Sequence, residues 1–224
     1  VPEAESSLVE RDIQLAAETR GHYHVAHLST TAALKAVRRA KRDHLRVTCE
    51  VTPHHFALLD EDVRDYNTNF KMNPPLRSRA DREALIAGLL DGAIDCIATD
   101  HAPHACNEKN QEFDRAPFGI TGLETALGLC VSILHGKFKM PLKQIIELLS
   151  TNPARVMGLQ GRGTLAVGSY ADVTVLDPAK RWTYQAAQSH SKSKNSPFDG
   201  WRLQGRVVAT VVGGEIKFAA DKHR

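Results

Sequence analysis

The sequence predicts an α/β fold with a parallel sheet, followed by a separate antiparallel β segment. Short β-rich runs alternate with amphipathic stretches through the first half of the chain, which is the pattern of βα units. The β runs end abruptly at proline or at clustered ionisable residues. From Gly161 the texture changes to glycine turns and β-branched runs, so a domain change is placed there, dividing 1–160 from 161–224. Strand, helix, strand, helix, strand is too little to close a barrel.

Residues 1–20 set Leu8, Val9, Ile13, Leu15, Ala16 and Ala17 among many charges, which predicts an amphipathic helix stopped by Gly21. The run 22–29 is β-rich and, as a regular strand, would put Tyr23, Val25 and His27 on one side. Ser29, Thr30 and Thr31 offer caps for a helix over 31–44. On that helix Lys35, Arg38, Arg39, Lys41 and Arg42, with Arg46 beyond it, read as a solvated face opposite Ala33, Leu34, Ala36, Val37 and Ala40. The second β run, 47–52, stops at Pro53 and delivers His54 and His55 to its carboxyl end. A loop with Asn69, Asn73, Pro74 and Pro75 leads to a helix opened by Ser78 or Asp81, running through Leu90 and ended by Gly92.

The third strand lies in 94–104, where an apolar run ends in Asp100, His101 and His104, and Pro103 bars continuation. The polar loop 105–115 is long enough for a functional lid. Helices are expected at 122–134, 142–149 and 152–157, then a turn and β run over 163–177. A polar stretch follows, of which 189–196 reads as mobile, and a hairpin of 205–212 and 215–218 turns at Gly213-Gly214.

With 42% hydrophobic and 25% charged residues in 224, the composition is that of a soluble globular protein. A net charge of +3, without a basic arm threaded by aromatics, argues against nucleic acid as a partner. Cys49, Cys96, Cys106 and Cys130 show no C-x-x-C spacing and read as reduced, mostly buried thiols of a cytoplasmic protein. No leader-like opening and no apolar run of membrane length stand in the sequence, so a soluble intracellular protein is expected.

Ionisable side chains crowded at the end of a buried strand are costly unless paired, hydrated or bound to metal. In α/β barrels such strand ends carry the active site. Asp100 and His27 are ligand types for a metal such as zinc, and each falls at the carboxyl end of a predicted parallel strand. Catalytic zinc takes three protein ligands plus water, so further ligands must come from His54, His55, His101, His104 or from outside this chain. His22-x-His24 has ligand-like spacing but sits at the amino end of its strand and reads as structural. There is no G-x-S-x-G and no evident His-paired cysteine, and Gly119-Ile120-Thr121-Gly122 is too short for a phosphate loop or a dinucleotide fingerprint. Metal-assisted hydrolysis is the chemistry these residues favour.

Several stretches carry a family likeness: His24-Val25-Ala26-His27-Leu28-Ser29-Thr30, Cys49-Glu50-Val51-Thr52-Pro53-His54-His55, Lys71-Met72-Asn73-Pro74-Pro75-Leu76-Arg77, 97–104, Ala116-Pro117-Phe118-Gly119-Ile120, and 163–177. In these the sequence resembles the carboxyl-terminal half of the bacterial type I dihydroorotases, members of the cyclic amidohydrolase superfamily. The resemblance implies a partial (β/α)8 TIM barrel, strands six to eight with their helices, then a small β segment of a composite sandwich domain. It implies two zinc ions per complete site and reversible hydrolysis of dihydroorotate to N-carbamoyl-aspartate in pyrimidine synthesis. By the same resemblance His27 is a ligand of one zinc, and Asp100 is a ligand of the other and the proton shuttle. Asn73 and His104 match substrate-binding positions, and Phe118 and Gly119 match a loop whose backbone contacts the pyrimidine ring. The pair His54-His55 does not fall on a ligand position.

The family's H-x-H motif, its bridging carboxylate or carboxylated lysine, and a further histidine have no counterpart in this sequence. The expectation is therefore a fragment of a longer enzyme that alone binds zinc poorly and shows no turnover. Expected partners are the small-molecule substrate, with a homodimer or a complex with aspartate transcarbamoylase as further possibilities, and no nucleic acid or membrane. Two alternatives stand beside this reading: an allantoinase or hydantoinase relative, and a catalytically silent homologue that scaffolds aspartate transcarbamoylase. Retention of His27 and Asp100 weighs against the silent homologue.

Overall fold

Three short strands, β1 (Tyr23–Val25), β2 (Val47–Val51) and β3 (Cys96–Ile97), lie in the order β1-β2-β3 and pair in parallel throughout. Tyr23 faces Val47 and Val25 faces Cys49, while Glu50 faces Cys96 and Val51 faces Ile97. The computed structural model describes residues 1–220, so 221–224 of the segment 161–224 lie outside the described residues. The α/β class and the parallel sheet agree with the sequence pattern. Contacts divide the chain into two compact units, 1–123 with 186–197, and 124–185 with the residues from 198 onward. The boundary at 160/161 rests on the change in sequence texture alone.

In the first unit, α1 (Glu3–Thr19) ends with Arg20, not Gly21, in the left-handed conformation, its N–H bonded to the Ala16 carbonyl. Helix α2 (Thr31–Arg42) is capped by Thr30, whose hydroxyl accepts from the Ala33 N–H, and it buries Ala33, Leu34, Ala36, Val37 and Ala40 as the periodicity predicts. Lys41 departs from the expected solvated face. Its ammonium bonds Asp95 at 2.6 Å and the Ala93 carbonyl at 2.8 Å, and the same Asp95 oxygen accepts from the Cys49 N–H. A charged side chain with a long apolar stem can thus close the end of a sheet while lying along a helix.

Pro53–Ala57 forms the short helix α3, and Ser78 rather than Asp81 caps α4 (Arg79–Leu90). Glu5 on α1 accepts from the Ser29 N–H at 2.9 Å and the Thr30 N–H at 3.0 Å, and lies 3.4 Å from Arg77. One carboxylate therefore joins the first helix to the exit of β1 and to the loop before α4. Inside 105–115, Cys106–Lys109 is the short helix α5. Cys49, Cys96 and Cys130 are buried free thiols pushed up by burial to about 12, which keeps them unreactive, while Cys106 is exposed.

In the second unit, α6 (Ala126–Leu129) continues through the wider turns of Cys130–His135. The helices expected at 142–149 and 152–157 are one run, because α7 (Leu142–Ile146) passes through Glu147–Thr151 into α8 (Asn152–Val156). Wider turns before Pro153 absorb the hydrogen bond that proline cannot donate. Strands β4 (Val173–Thr183), β5 (Arg202–Val212) and β6 (Glu215–Ala219) form an antiparallel sheet in that order. Gly213 and Gly214, at φ 59° and 82°, turn the β5–β6 hairpin as predicted. A Cβ at Gly205 would stand 2.7 Å from the Val131 side chain, so only glycine lets β5 approach that helix. Among the described residues no helix is long and apolar enough to cross a membrane.

Candidate active site

Strand β1 stops at Val25, and His27 sits in the following turn at φ 54°. The alternation expected of a longer strand therefore does not aim His27; a left-handed residue does. Asp100, beyond the end of β3, is likewise left-handed at φ 45°. Neither is glycine, and such backbone costs free energy that a fold retains where a side chain must point in one direction. The result brings His27 Nε2 to 3.5 Å from Asp100 Oδ1, with 28% and 26% of the two side chains exposed.

Below His27 lies Glu50, a residue the sequence reading passed over. It is a carboxylate in the middle of the β2 strand, on the face opposite the buried Val47, Cys49 and Val51. One of its oxygens is 2.9 Å from His27 Nδ1, a close charge contact that lies off the direction of a well-formed hydrogen bond. The other oxygen is 3.3 Å from His24 Nε2, and His24 Nδ1 is 2.8 Å from the Thr48 hydroxyl. Burial alone would raise the Glu50 carboxyl, but the two imidazoles outweigh it and hold the group down at about 2. The Glu50 carboxylate is in turn the main reason His27 is raised above its ordinary value, against burial and with help from Asp100.

An imidazole whose far nitrogen rests on a carboxylate, beside a second carboxylate, matches the donor chemistry of part of a zinc site. It is only part. Among the described residues no group of three His, Cys, Asp or Glu side chains is disposed to hold a metal ion. His54 and His55 are both buried, their rings 4.6 Å apart. His55 bonds the Thr52 hydroxyl at 2.7 Å and the Pro74 carbonyl at 3.0 Å, whereas the buried His54 Nε2 has no hydrogen-bond partner among the described residues. Burial lowers both, His55 to about 4, so they are neutral at pH 7.

The second predicted cluster forms its own frame. His104 Nε2 lies 2.7 Å from the Phe118 carbonyl, and a Cβ at Gly119 would stand 2.7 Å from the His104 ring and 2.8 Å from Ala102. Lys71 and Lys109, both buried, hold this loop from behind. Lys71 Nζ donates to the carbonyls of Asp114 and Ala116, at 3.0 and 2.6 Å, and Lys109 Nζ to those of Pro117 and Gly119, at 2.9 and 3.3 Å. The Gly119 N–H donates to the Lys71 carbonyl at 2.9 Å, so Asn73, exposed two residues on, belongs to the same strip of chain. The stretch 189–196, expected to be mobile, ends in buried Asn195 and Ser196. Its polar composition concealed this, because Asn195 is buried through hydrogen bonds rather than apolar contact.

Similarity to known proteins is extensive. A profile described as the Amidohydrolase family matches residues 4–217. The chain is 52% identical over 217 residues to a protein named "Dihydroorotase" of Geobacter sp. (strain M21), covering 97% of this chain and 51% of that protein. It is 48% identical over 214 residues to "Dihydroorotase" of Endomicrobium trichonymphae, covering 96% and 51%. Among solved structures, a D-hydantoinase (dihydropyrimidinase) from Thermus sp. superimposes with TM-score 0.90 at 27% identity, over 96% of this chain and 48% of that one. An L-hydantoinase (dihydropyrimidinase) from Arthrobacter aurescens gives 0.89 at 29% identity, over 94% and 48%. The chain spans about half the length of the curated relatives it matches. It belongs to the Amidohydrolase family.

Proposed function

We propose that this chain is the carboxyl-terminal part of a dihydroorotase, which reversibly hydrolyses the cyclic amide of dihydroorotate to N-carbamoyl-L-aspartate in pyrimidine biosynthesis. The observation that carries the reading is the His27–Asp100 pair, set 3.5 Å apart on left-handed backbone at the ends of β1 and β3. Identity near one half to proteins named dihydroorotase, against 27–29% to the hydantoinases, supports this substrate over hydantoin. In this reading the parallel strands are the sixth to eighth of a β/α barrel, and residues outside this chain complete the site. A cytoplasmic location, a homodimer and association with aspartate transcarbamoylase belong to the same proposal for the whole protein.

His27 and Asp100 would serve two zinc ions, His27 oriented from behind by Glu50. Zinc, when bound, makes water nucleophilic at neutral pH and polarises the amide carbonyl. Asp100 takes the proton of the attacking water and delivers it to the departing ring nitrogen, acting first as base and then as acid. His104, Asn73 and the backbone of Phe118 and Gly119 hold the ring in place and exchange no proton with it.

The test is turnover of dihydroorotate, allantoin, hydantoin and dihydrouracil by the full-length protein, with metal content measured in parallel. Dihydroorotate is expected to be the substrate, with zinc retained by the parent and reduced in His27→Ala. Hydrolysis of allantoin or hydantoin alone would replace the substrate assignment, and a full-length protein inert toward all four would favour a silent scaffold.

A further inference from the structure

Asn195 reaches the His104 frame from a segment far away in sequence and is only 4% exposed. Its Oδ1 accepts from the His104 N–H at 3.2 Å, and its Nδ2 donates to the Ala102 carbonyl at 2.9 Å and the Gly119 carbonyl at 3.0 Å. Its own carbonyl accepts from the Thr121 N–H at 3.0 Å. The side chain can bind in only one orientation. Turning the amide over would set NH2 against an N–H and oxygen against two carbonyls. Both Nδ2 hydrogens are therefore committed inside the protein, and the oxygen already accepts from the His104 N–H.

The Gly119 carbonyl is gripped twice, by Asn195 and by the Lys109 ammonium at 3.3 Å. Lys109, buried and close to Lys71, is lowered to about 8, so it still carries its charge at pH 7. With Lys71 on Ala116, Lys109 on Pro117 and His104 on Phe118, every carbonyl from Ala116 to Gly119 has a protein partner. Beside the direct His104–Phe118 bond, Asn195 bonds both sides of the frame, the 102–104 strip and the Gly119 carbonyl.

We propose that Asn195 is a positioning residue, tying the His104 backbone to the Ala102 and Gly119 carbonyls so that the His104 imidazole and the Phe118–Gly119 edge keep one spacing for the substrate ring. The inference rests on the reading of His104, Phe118 and Gly119 as substrate-binding.

The experiment is a double-mutant cycle in the full-length protein, with Asn195→Ala, His104→Ala and the pair, read as kcat/KM for dihydroorotate. Asn195→Ala should lose about 10- to 100-fold. In the His104→Ala background it should lose clearly less than in the parent, the remainder being its hold on the Gly119 edge. Asn195→Asp, of the same shape, keeps the acceptor for the His104 N–H but sets a second oxygen against the Ala102 and Gly119 carbonyls; it should lose at least as much as the alanine variant, and it carries the cycle if the alanine variant does not fold. Losses that multiply in the pair, or single variants within about twofold of the parent, overturn the proposal. A parent inactive on dihydroorotate refutes the substrate assignment instead, and the cycle is then read on whichever cyclic amide it hydrolyses. Independently of turnover, Asn195→Asp should move the His104 ring resonances in an NMR spectrum. Unchanged resonances overturn the proposal.

Discussion

His27 and Asp100 stand on left-handed backbone with about a quarter of each side chain exposed, facing each other across 3.5 Å. His104, Phe118 and Gly119 instead lie in a frame where Lys71, Lys109, His104 and Asn195 take up each carbonyl from Ala116 to Gly119. The first region stores backbone strain and keeps part of both side chains open to solvent; the second spends its hydrogen-bonding capacity on holding shape. A reacting edge needs groups whose partners are still to come, whereas a positioning edge needs groups that cannot move.

The largest expected effect is at the strained edge. Asp100→Asn removes the carboxylate proposed as proton carrier while keeping shape and should cut dihydroorotate turnover by the full-length protein about 10²- to 10⁴-fold, measured by steady-state kinetics. Its denaturation midpoint should stay close to that of the parent, and a large fall would make Asp100 a structural residue. The buried imidazoles beneath this edge give the next effect. Below the ordinary value of 6.5 an unfolded histidine gains a proton that folded His55 refuses until about 4, so the unfolded state binds more protons in that window. His55 stability is thus complete above about pH 6.5 and is lost as the pH falls toward 4, by on the order of 3 kcal/mol. Urea unfolding at pH 7 and pH 4.5 measures it, and equal stabilities at the two pH values would mean that His55 titrates normally.

In the positioning frame, Gly119→Ala meets the His104 ring and Ala102 at φ 154° and should cost about 1–3 kcal/mol of stability together with activity. Activity lost with stability intact would show that the frame is less rigid than its contacts. The smallest effect on stability returns to the strained edge and has the opposite sign. Asp100→Gly should abolish turnover yet leave the protein as stable, or more stable by about 1 kcal/mol, because glycine accepts the left-handed conformation without strain. A clear loss of stability would remove the contrast between the two regions.

Much of the fold was legible. Thr30 and Ser78 cap their helices, the apolar stripe of α2 faces inward, and Gly213-Gly214 turns the last hairpin. Local rules decide these features, through hydrogen bonds and contacts within a few residues. Of the candidate site, the residues at strand ends were legible because ionisable groups after an apolar run stand out from their surroundings. Glu50 and Asn195 were not, since a carboxylate inside a strand and an asparagine in a polar stretch show their role only against residues distant in sequence.

The sequence by itself determined the alternation of strands and helices, the positions of caps and turns, and the concentration of His27, Asp100 and His104 at strand exits, because each depends on short-range periodicity and stereochemistry. Tertiary structure alone decided that His27 turns toward Asp100 through a left-handed residue, that Glu50 lies beneath it, that Lys41 closes the sheet rather than meeting solvent, and that Asn195 joins His104 to Gly119. Those outcomes depend on pairings between distant segments, whose free energy exists only once burial has removed the competing water.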